Sequence, residues 1–187
     1  MKYKIIALCG MAGSGKDRTL NALYDADQSF EYPQLHKIVG CTTRPKRENE
    51  QDGVHYHFLS SEQFATKVMD GSLLEATSHR DWFYGTAIES LTLSCVNVGV
   101  FNPLALNILY EDPRVDLKVY RIAASDKTRM LRQLNREGDP DVDEIVRRYG
   151  TDKRDFAEIE FPYETLQNET EEDLWNNVNF LLNSAAS

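Results

Sequence analysis

Cysteine is scarce in this 187-residue chain: Cys9, Cys41 and Cys95 stand in apolar, strand-like surroundings with no paired spacing. That pattern excludes a disulfide framework and points to free thiols in a reducing compartment. Long apolar runs are lacking as well. No stretch approaches membrane-spanning length, and the opening run is too short for a signal-peptide core, so the chain reads as cytosolic with no membrane partner. Positive charge is in deficit. The 21 Lys and Arg against 30 Asp and Glu leave a net charge of −9, whereas a general nucleic-acid binder carries a basic surface. Histidine is sparse too, and His55 and His57, alternating on one strand, have no third ligand in view; they read as exposed polar residues. No internal repeat or low-complexity tract is present. This length suits one well-cored domain.

The cations that are present are gathered. Arg44, Lys46 and Arg47 form one group; Lys127, Arg129, Arg132 and Arg136 form another; Arg147 and Arg148 are adjacent. An acidic chain that concentrates arginine in a few places suits a small anionic ligand.

The strongest local pattern comes first. The apolar run Ile5 to Cys9 breaks into Gly10-Met11-Ala12-Gly13-Ser14-Gly15-Lys16-Asp17, and helical spacing returns through Leu20, Leu23 and Tyr24. Strand, glycine-rich turn and helix in that order build an anion site: glycines let successive N–H groups face inward, and the helix adds the positive end of its dipole. Gly10, Gly15 and Lys16 fit the phosphate-binding P-loop, G-x-x-x-x-G-K, so Gly10 to Asp17 is the expected ATP site, with Lys16 reaching the outer phosphates. Asp17 stands where Ser or Thr normally gives a hydroxyl to Mg²⁺. It is either an acid favoured by the helix dipole or a carboxylate ligand for Mg²⁺.

Beyond the first helix, Asp25 to Pro33 reads as a loop and Leu35 to Cys41 as a strand, which runs into an exposed loop from Thr42 to Gly53. Val54, Tyr56 and Phe58 alternate as in a half-buried strand over Val54 to Leu59. Ser60 with Gln63 is a capping-box start for a helix carrying Phe64, Val68 and Met69, ended by Gly71. Leu73 to Ala76 and Trp82 to Tyr84 read as strands about His79-Arg80-Asp81, so Pro45 to Thr86 is a small mixed insertion. Leu93 to Phe101 reads as a strand buried on both faces, Leu104 to Tyr110 as a helix, and Leu117 to Ala123 as the next strand. Lys127 to Glu137 reads as a helix with Met130, Leu131 and Leu134 on one side, stopped by Gly138. Asp139-Pro140 opens another helix towards Glu158. Thr165 to Asn168 and Glu171 to Leu182 read as a last strand and a closing helix. Strands alternating with helices predict an α/β fold with a mostly parallel, doubly wound sheet.

Arg129, Arg132 and Arg136 share one helix face with few acids placed to pair with them, which favours phosphate contact. Arg147 and Arg148 follow Asp143 and Glu144 by four residues, which is ordinary surface pairing. Phosphoryl transfer needs two anionic partners held in line and their charge neutralised. A P-loop for the donor, an arginine loop for the acceptor and a movable arginine-bearing helix to shut out water together describe a phosphotransferase with a small anionic acceptor.

The stretch Thr42-Thr43-Arg44-Pro45-Lys46-Arg47, then Asp52-Gly53-Val54-His55-Tyr56-His57-Phe58, Glu75 and Phe83-Tyr84-Gly85-Thr86, resembles the guanylate kinase family over nearly the whole chain. The resemblance implies a P-loop NTPase three-layer core (residues 1–44 and 87–187), a nucleoside-monophosphate-binding insertion (45–86) and a helical lid at about 127–150. It implies ATP with Mg²⁺ as donor and GMP or dGMP as acceptor, on a monomer or homodimer. Arg44, Arg47, Tyr56 and Tyr84 would bind the acceptor phosphate, Glu75 the guanine N1 and amino groups, and Thr86 would lie beside the base. Arg132 and Arg136 match the lid pair, and Arg148 a further arginine after it. Cys41 replaces a serine on the acceptor side. Gly99 and Phe101 replace the family's D-x-D, with Phe101 free to stack on or pack against a base. Some viral deoxynucleoside monophosphate kinases share the Gly-Lys-Asp P-loop, which keeps a wider deoxynucleotide range as an alternative. The changed aspartates keep a non-catalytic phosphate-recognition module as another.

Overall fold

The computed structural model describes residues 1–48, 50–79, 81–135, 140–157, 159 and 161–186. Strand β1 (Tyr3–Cys9) runs through the glycine turn into α1 (Lys16–Gln28), followed by β2 (Leu35–Lys37), β3 (Cys41–Thr42), β4 (His57–Phe58), α2 (Ser61–Met69), β5 (Leu73–His79) and β6 (Trp82–Ala87). After a 3₁₀ turn at Ile88–Ser90 come β7 (Val96–Val100), α3 (Pro103–Glu111), β8 (Val115–Ala123), α4 (Asp126–Leu134), α5 (Val142–Asp155), β9 (Glu164–Gln167) and α6 (Glu171–Ala185).

The larger sheet has the order β2-β7-β1-β8-β9, every neighbour parallel. β1 lies at its centre and is buried from Ile5 to Cys9, as a parallel strand covered on both faces must be. Alternation sends Ile6 and Leu8 into a core with Leu20 and Leu23 of α1 and Leu174, Val178 and Leu181 of α6. Ile5, Ala7 and Cys9 enter the opposite core with Ala105, Leu106 and Leu109 of α3. Burying one such leucine stabilises the fold by about 1.5–3 kcal/mol. The result is three layers, and it delivers the end of β1 to the sheet's carboxyl edge, where open α/β sheets bind ligands.

The smaller sheet, β4-β3-β6-β5, is mixed. Helix α2 covers one side of it. Its start is fixed by the Ser60–Gln63 capping box, as the spacing predicts, and it buries Phe64 against Cys41 and Ala87. Val68 and Met69 point to solvent instead.

Several expectations are corrected. Helix α1 continues through Asp25 to Gln28 because Asp27, 2% exposed, accepts the N–H groups of Gln34 and Leu35 at 3.0 Å each and so organises the turn from inside. The strand expected from Leu35 to Cys41 is two pieces in different sheets. Val54 leaves the expected strand: Gly53 N–H donates to the Tyr56 carbonyl and Asp52 accepts from Phe58 N–H, closing a turn that leaves Val54 exposed. Helix α4 buries Arg129, while Leu131 and Leu134 remain exposed. Helix α5 is capped by Asp141, whose side chain accepts from Glu144 N–H. Gly138 and Asp139, expected as stop and cap, lie outside the described residues, as do Arg80, Arg136, Glu137 and Glu158.

Candidate functional site

The glycine turn links β1 to α1. Gly15 sits before α1 with φ +94°, and Gly13 has φ +79°, both in the left-handed region. A Cβ on Gly13 would lie 2.5 Å from the Arg129 carbonyl oxygen, and one on Gly15 would strike the Asn168 amide, so neither position admits a side chain. The Ser14 side chain is 1% exposed and its hydroxyl has no protein partner. Lys16 Nζ lies 3.6 Å from Asp17 Oδ2, and the Asp17 side chain is open to solvent. That carboxylate fits a Mg²⁺ arriving with a nucleotide, since Mg²⁺ is usually held by one or two carboxylates plus phosphates and water. No cluster of three or more such ligands exists among the described residues.

The turn is braced from outside. Arg132, expected at the transferring phosphate, donates from Nη1 to the carbonyls of Gly13 (3.3 Å) and Ser14 (3.1 Å) and from Nη2 to those of Asn168 (2.8 Å) and Glu169 (3.2 Å). Asn168, 3% exposed, donates to the Ser14 carbonyl at 2.8 Å. Arg129 Nε donates to the Ala12 carbonyl at 3.0 Å, and Ala12 N–H donates to Asp152 of α5 at 2.5 Å. Carbonyls held outward leave the intervening N–H groups to face the anion side. Sequence reading expected Arg129 at a phosphate with few acids to pair with it, whereas Asp126 and Asp152 both pair with it; that reading missed Asn168 and Asp152. Arg129 had a signal, its shared face with Arg132. Asn168 and Asp152 had none, being 154 and 140 residues from their partners. Arg148 donates to Glu144 at 2.6 Å, the surface pair that its spacing predicts.

The second niche lies on the smaller sheet. Register pairs Thr42 with Tyr84, Tyr84 with Thr77, and Thr86 with Glu75, so these side chains share one face. The row Cys41, Gly85 and Ala76 points to the other face. Cys41 therefore packs with Phe64 and Ala87 under α2, and burial pushes its thiol pKa up. Position 41, assigned to the acceptor by resemblance, is turned away from this face. A Cβ on its neighbour Gly40 would lie 3.3 Å from the Gly85 carbonyl oxygen and 3.6 Å from the Tyr56 ring.

Arg44 is 7% exposed, its guanidinium 5.8 Å from the Tyr56 ring and 5.7 Å from the Phe58 ring. Tyr56 meets Tyr84 edge-on at 6.1 Å. Glu50, absent from the sequence reading, supplies the negative charge: its carboxylate takes Arg44 Nη2 at 2.7 Å and Arg47 N–H at 2.9 Å. The bond from Arg44 holds the Glu50 carboxyl below its usual pKa. Arg47 itself is exposed at the rim. Burial, and next the charge of Asp17, pushes Tyr56 up to about 12.

Glu75 is 6% exposed. Its Oε1 accepts from the Thr86 hydroxyl at 2.8 Å, and its Oε2 has no partner. Burial pushes its carboxyl up to about 7. A buried carboxylate oxygen with nothing to bond is costly unless a ligand donates to it. Phe101, 7% exposed, joins Ile38 and Leu74 in the core, its ring close over Gly99. Together the two positions form an apolar plug where the D-x-D would stand. Asn102 then caps α3 and donates to Thr77 at 3.1 Å, tying that helix to the face that carries Glu75 and Tyr84.

A family model described as guanylate kinase matches residues 2–101, which include the P-loop, Arg44, Tyr56, Glu75 and Tyr84. The guanylate kinase of Listeria monocytogenes serotype 4b (strain F2365) is 40% identical over 86 residues, 46% of this chain and 40% of that protein, so the match spans about two fifths of the relative's length. That of Methylobacillus flagellatus is 27% identical over 181 residues, covering 93% of this chain and 86% of the relative. A crystal structure of guanylate kinase from Anaplasma phagocytophilum superposes with a TM-score of 0.69 at 18% identity, covering all of this chain and 88% of that one. This likeness shows that the chain shares the fold of that guanylate kinase. With more than half its length matched, the chain belongs to the guanylate kinase family.

Proposed function

We propose that this chain transfers the γ-phosphoryl group of ATP to GMP or dGMP. One observation supports the reading above others: the buried Glu75 carboxylate, bonded by Thr86 and with Oε2 unmatched, shares a sheet face with Tyr84. That is a donor-seeking group beside a phosphate niche, as a guanine with its N1–H and amino group requires. In this reading Arg44, Arg47, Tyr56 and Tyr84 hold the acceptor phosphate, and Thr86 positions Glu75. The amides from Gly10 to Asp17 and Lys16 hold the donor. Asp17 would hold the Mg²⁺, which spreads charge across the outer phosphates when bound.

No side-chain nucleophile is needed. An acceptor phosphate oxygen attacks the γ-phosphorus, the bond to the β–γ bridging oxygen breaks, and ADP leaves. Arg132 acts from behind the loop as a positioning residue. Arg148 and Arg136 are assigned to neutralise the transferring group on the sequence match, Arg136 lying outside the described residues. Residues 1–44 and 87–187 serve as the core, 45–86 as the acceptor-binding insertion, and about 127–150 as the lid. No helix among the described residues is long and apolar enough to cross a membrane. The family match favours neither a wider deoxynucleotide range nor a non-catalytic module.

The test is ADP release, by coupled assay, with ATP·Mg²⁺ against a panel of ribo- and deoxynucleoside monophosphates. Turnover confined to guanine nucleotides supports the proposal. Preference for another base, or silence across the panel, overturns it.

A further inference from the structure

The P-loop offers its N–H groups to an anion, yet one of them already holds an anion from this chain. Ala12 N–H donates to Asp152 Oδ2 at 2.5 Å. Asp152 lies in the second half of α5, and Arg129 aims it: Nη2 of that guanidinium, 3% exposed and with no hydrogen-bond acceptor of its own, lies 3.6 Å from the same oxygen. Arg129 Nε holds the Ala12 carbonyl as well. One residue of the loop is therefore gripped on both its peptide groups by the two helices that follow β8.

What keeps α5 there is mostly charge. Lys153 meets Asp126 of α4 at 3.2 Å, and Arg129 of α4 meets Asp152 at 3.6 Å and lies 5.2 Å from the Tyr149 ring. Ile145 is the buried residue of this helix. Partly exposed ion pairs contribute little each, so α5 is seated firmly enough to occupy the loop and weakly enough to leave it.

We propose that Asp152 stands in the place of a donor phosphate oxygen on the P-loop, and that ATP binds by displacing it and lifting α5 from the loop. The proposal rests on reading Gly10 to Asp17 as the donor site. A polyphosphate and a carboxylate cannot share one N–H, and two anions side by side in a half-buried niche repel strongly. Donor binding is thereby coupled to movement of a lid helix. The apparent affinity for ATP is reduced by the fraction of molecules in which Asp152 has vacated the amide.

Isothermal titration of ATP·Mg²⁺ into the full chain, without acceptor, tests this. Asp152→Ala is expected to bind ATP roughly three- to tenfold more tightly than the wild type. Asp152→Asn shifts the same way by less, because its amide oxygen still accepts from Ala12 but no longer pairs with Arg129. Asp155→Asn, which removes an exposed charge on the same helix, stays within about twofold of wild type, as expected of a screened surface charge. Unchanged or weaker binding by a folded Asp152→Ala overturns the proposal, and so does an equal gain in Asp155→Asn, which would reflect net charge alone. If Asp152→Ala does not fold, Asp152→Asn decides by the same criterion. A wild-type chain that binds no ATP overturns the donor reading itself and the displacement with it; that result is distinct from a wild type that binds and variants that do not improve on it.

Discussion

Glu75 and Arg44, both assigned to the acceptor in the proposed function, are held by opposite means. Glu75 has lost water and gained one hydroxyl, which leaves its carboxyl at about 7 from an ordinary 4.5. The native state therefore binds a proton more readily than the unfolded chain, and stability falls as pH rises between those two values. Glu75→Gln removes that slope. The melting-temperature difference, variant minus wild type, is expected to be larger at pH 8 than at pH 5, by the equivalent of about 2 kcal/mol. An equal difference at both pH values, read by calorimetry, would refute the burial argument. Arg44 is instead paired with Glu50 and walled by Tyr56 and Phe58. Arg44→Ala strands the Glu50 carboxylate, so the fold should lose about 1–3 kcal/mol. The acceptor KM should rise more than tenfold with the ATP KM little changed, since the residue faces one niche only. Steady-state kinetics with each substrate varied in turn checks the asymmetry. The role proposed for Arg44 comes from T-T-R-x-x-R, a local word; the partnership with Glu50 depends on how the intervening loop folds.

Helices and strands differ in how far their signals reach. The Ser60–Gln63 box needs partners three residues apart, so α2 begins where the sequence says. The end of α1 does not, because Asp27 finds its donors at residues 34 and 35, across a turn. Cys41 shows a third case: a strand is legible, but which face it turns to the cleft depends on pairing with Gly85, set by the sheet. At this scale α4 acts as a brace, through four carbonyl contacts from one guanidinium. Arg132→Ala is expected to weaken ATP binding about tenfold, roughly 1.4 kcal/mol, and to speed amide exchange from Gly13 to Lys16. GMP affinity should stay within about twofold, because the brace does not touch the acceptor niche. Hydrogen exchange with mass spectrometry separates this from direct phosphate contact, which would leave exchange in the free protein unchanged.

For the whole molecule, two cores hold the P-loop at one sheet edge, and a smaller sheet carries its own arginine niche. A ligand that binds only this assembled form must stabilise it. ATP·Mg²⁺ at about 100 times its Kd should add about 2.7 kcal/mol, raising the melting temperature of a chain this size by about 5–10 °C. Lys16→Ala should lose most of that rise; a full shift in the variant would mean that the nucleotide binds elsewhere. The sequence by itself determined the glycine turn between β1 and α1, the alternation of strands and helices, and the start of α2 at Ser60–Gln63, because each is written in local spacing. Only the tertiary structure decided that Arg132 braces the loop, that Cys41 faces inward, and that Asp152 rests on Ala12. Those are contacts between distant segments, fixed by register, burial and charge once the layers have packed.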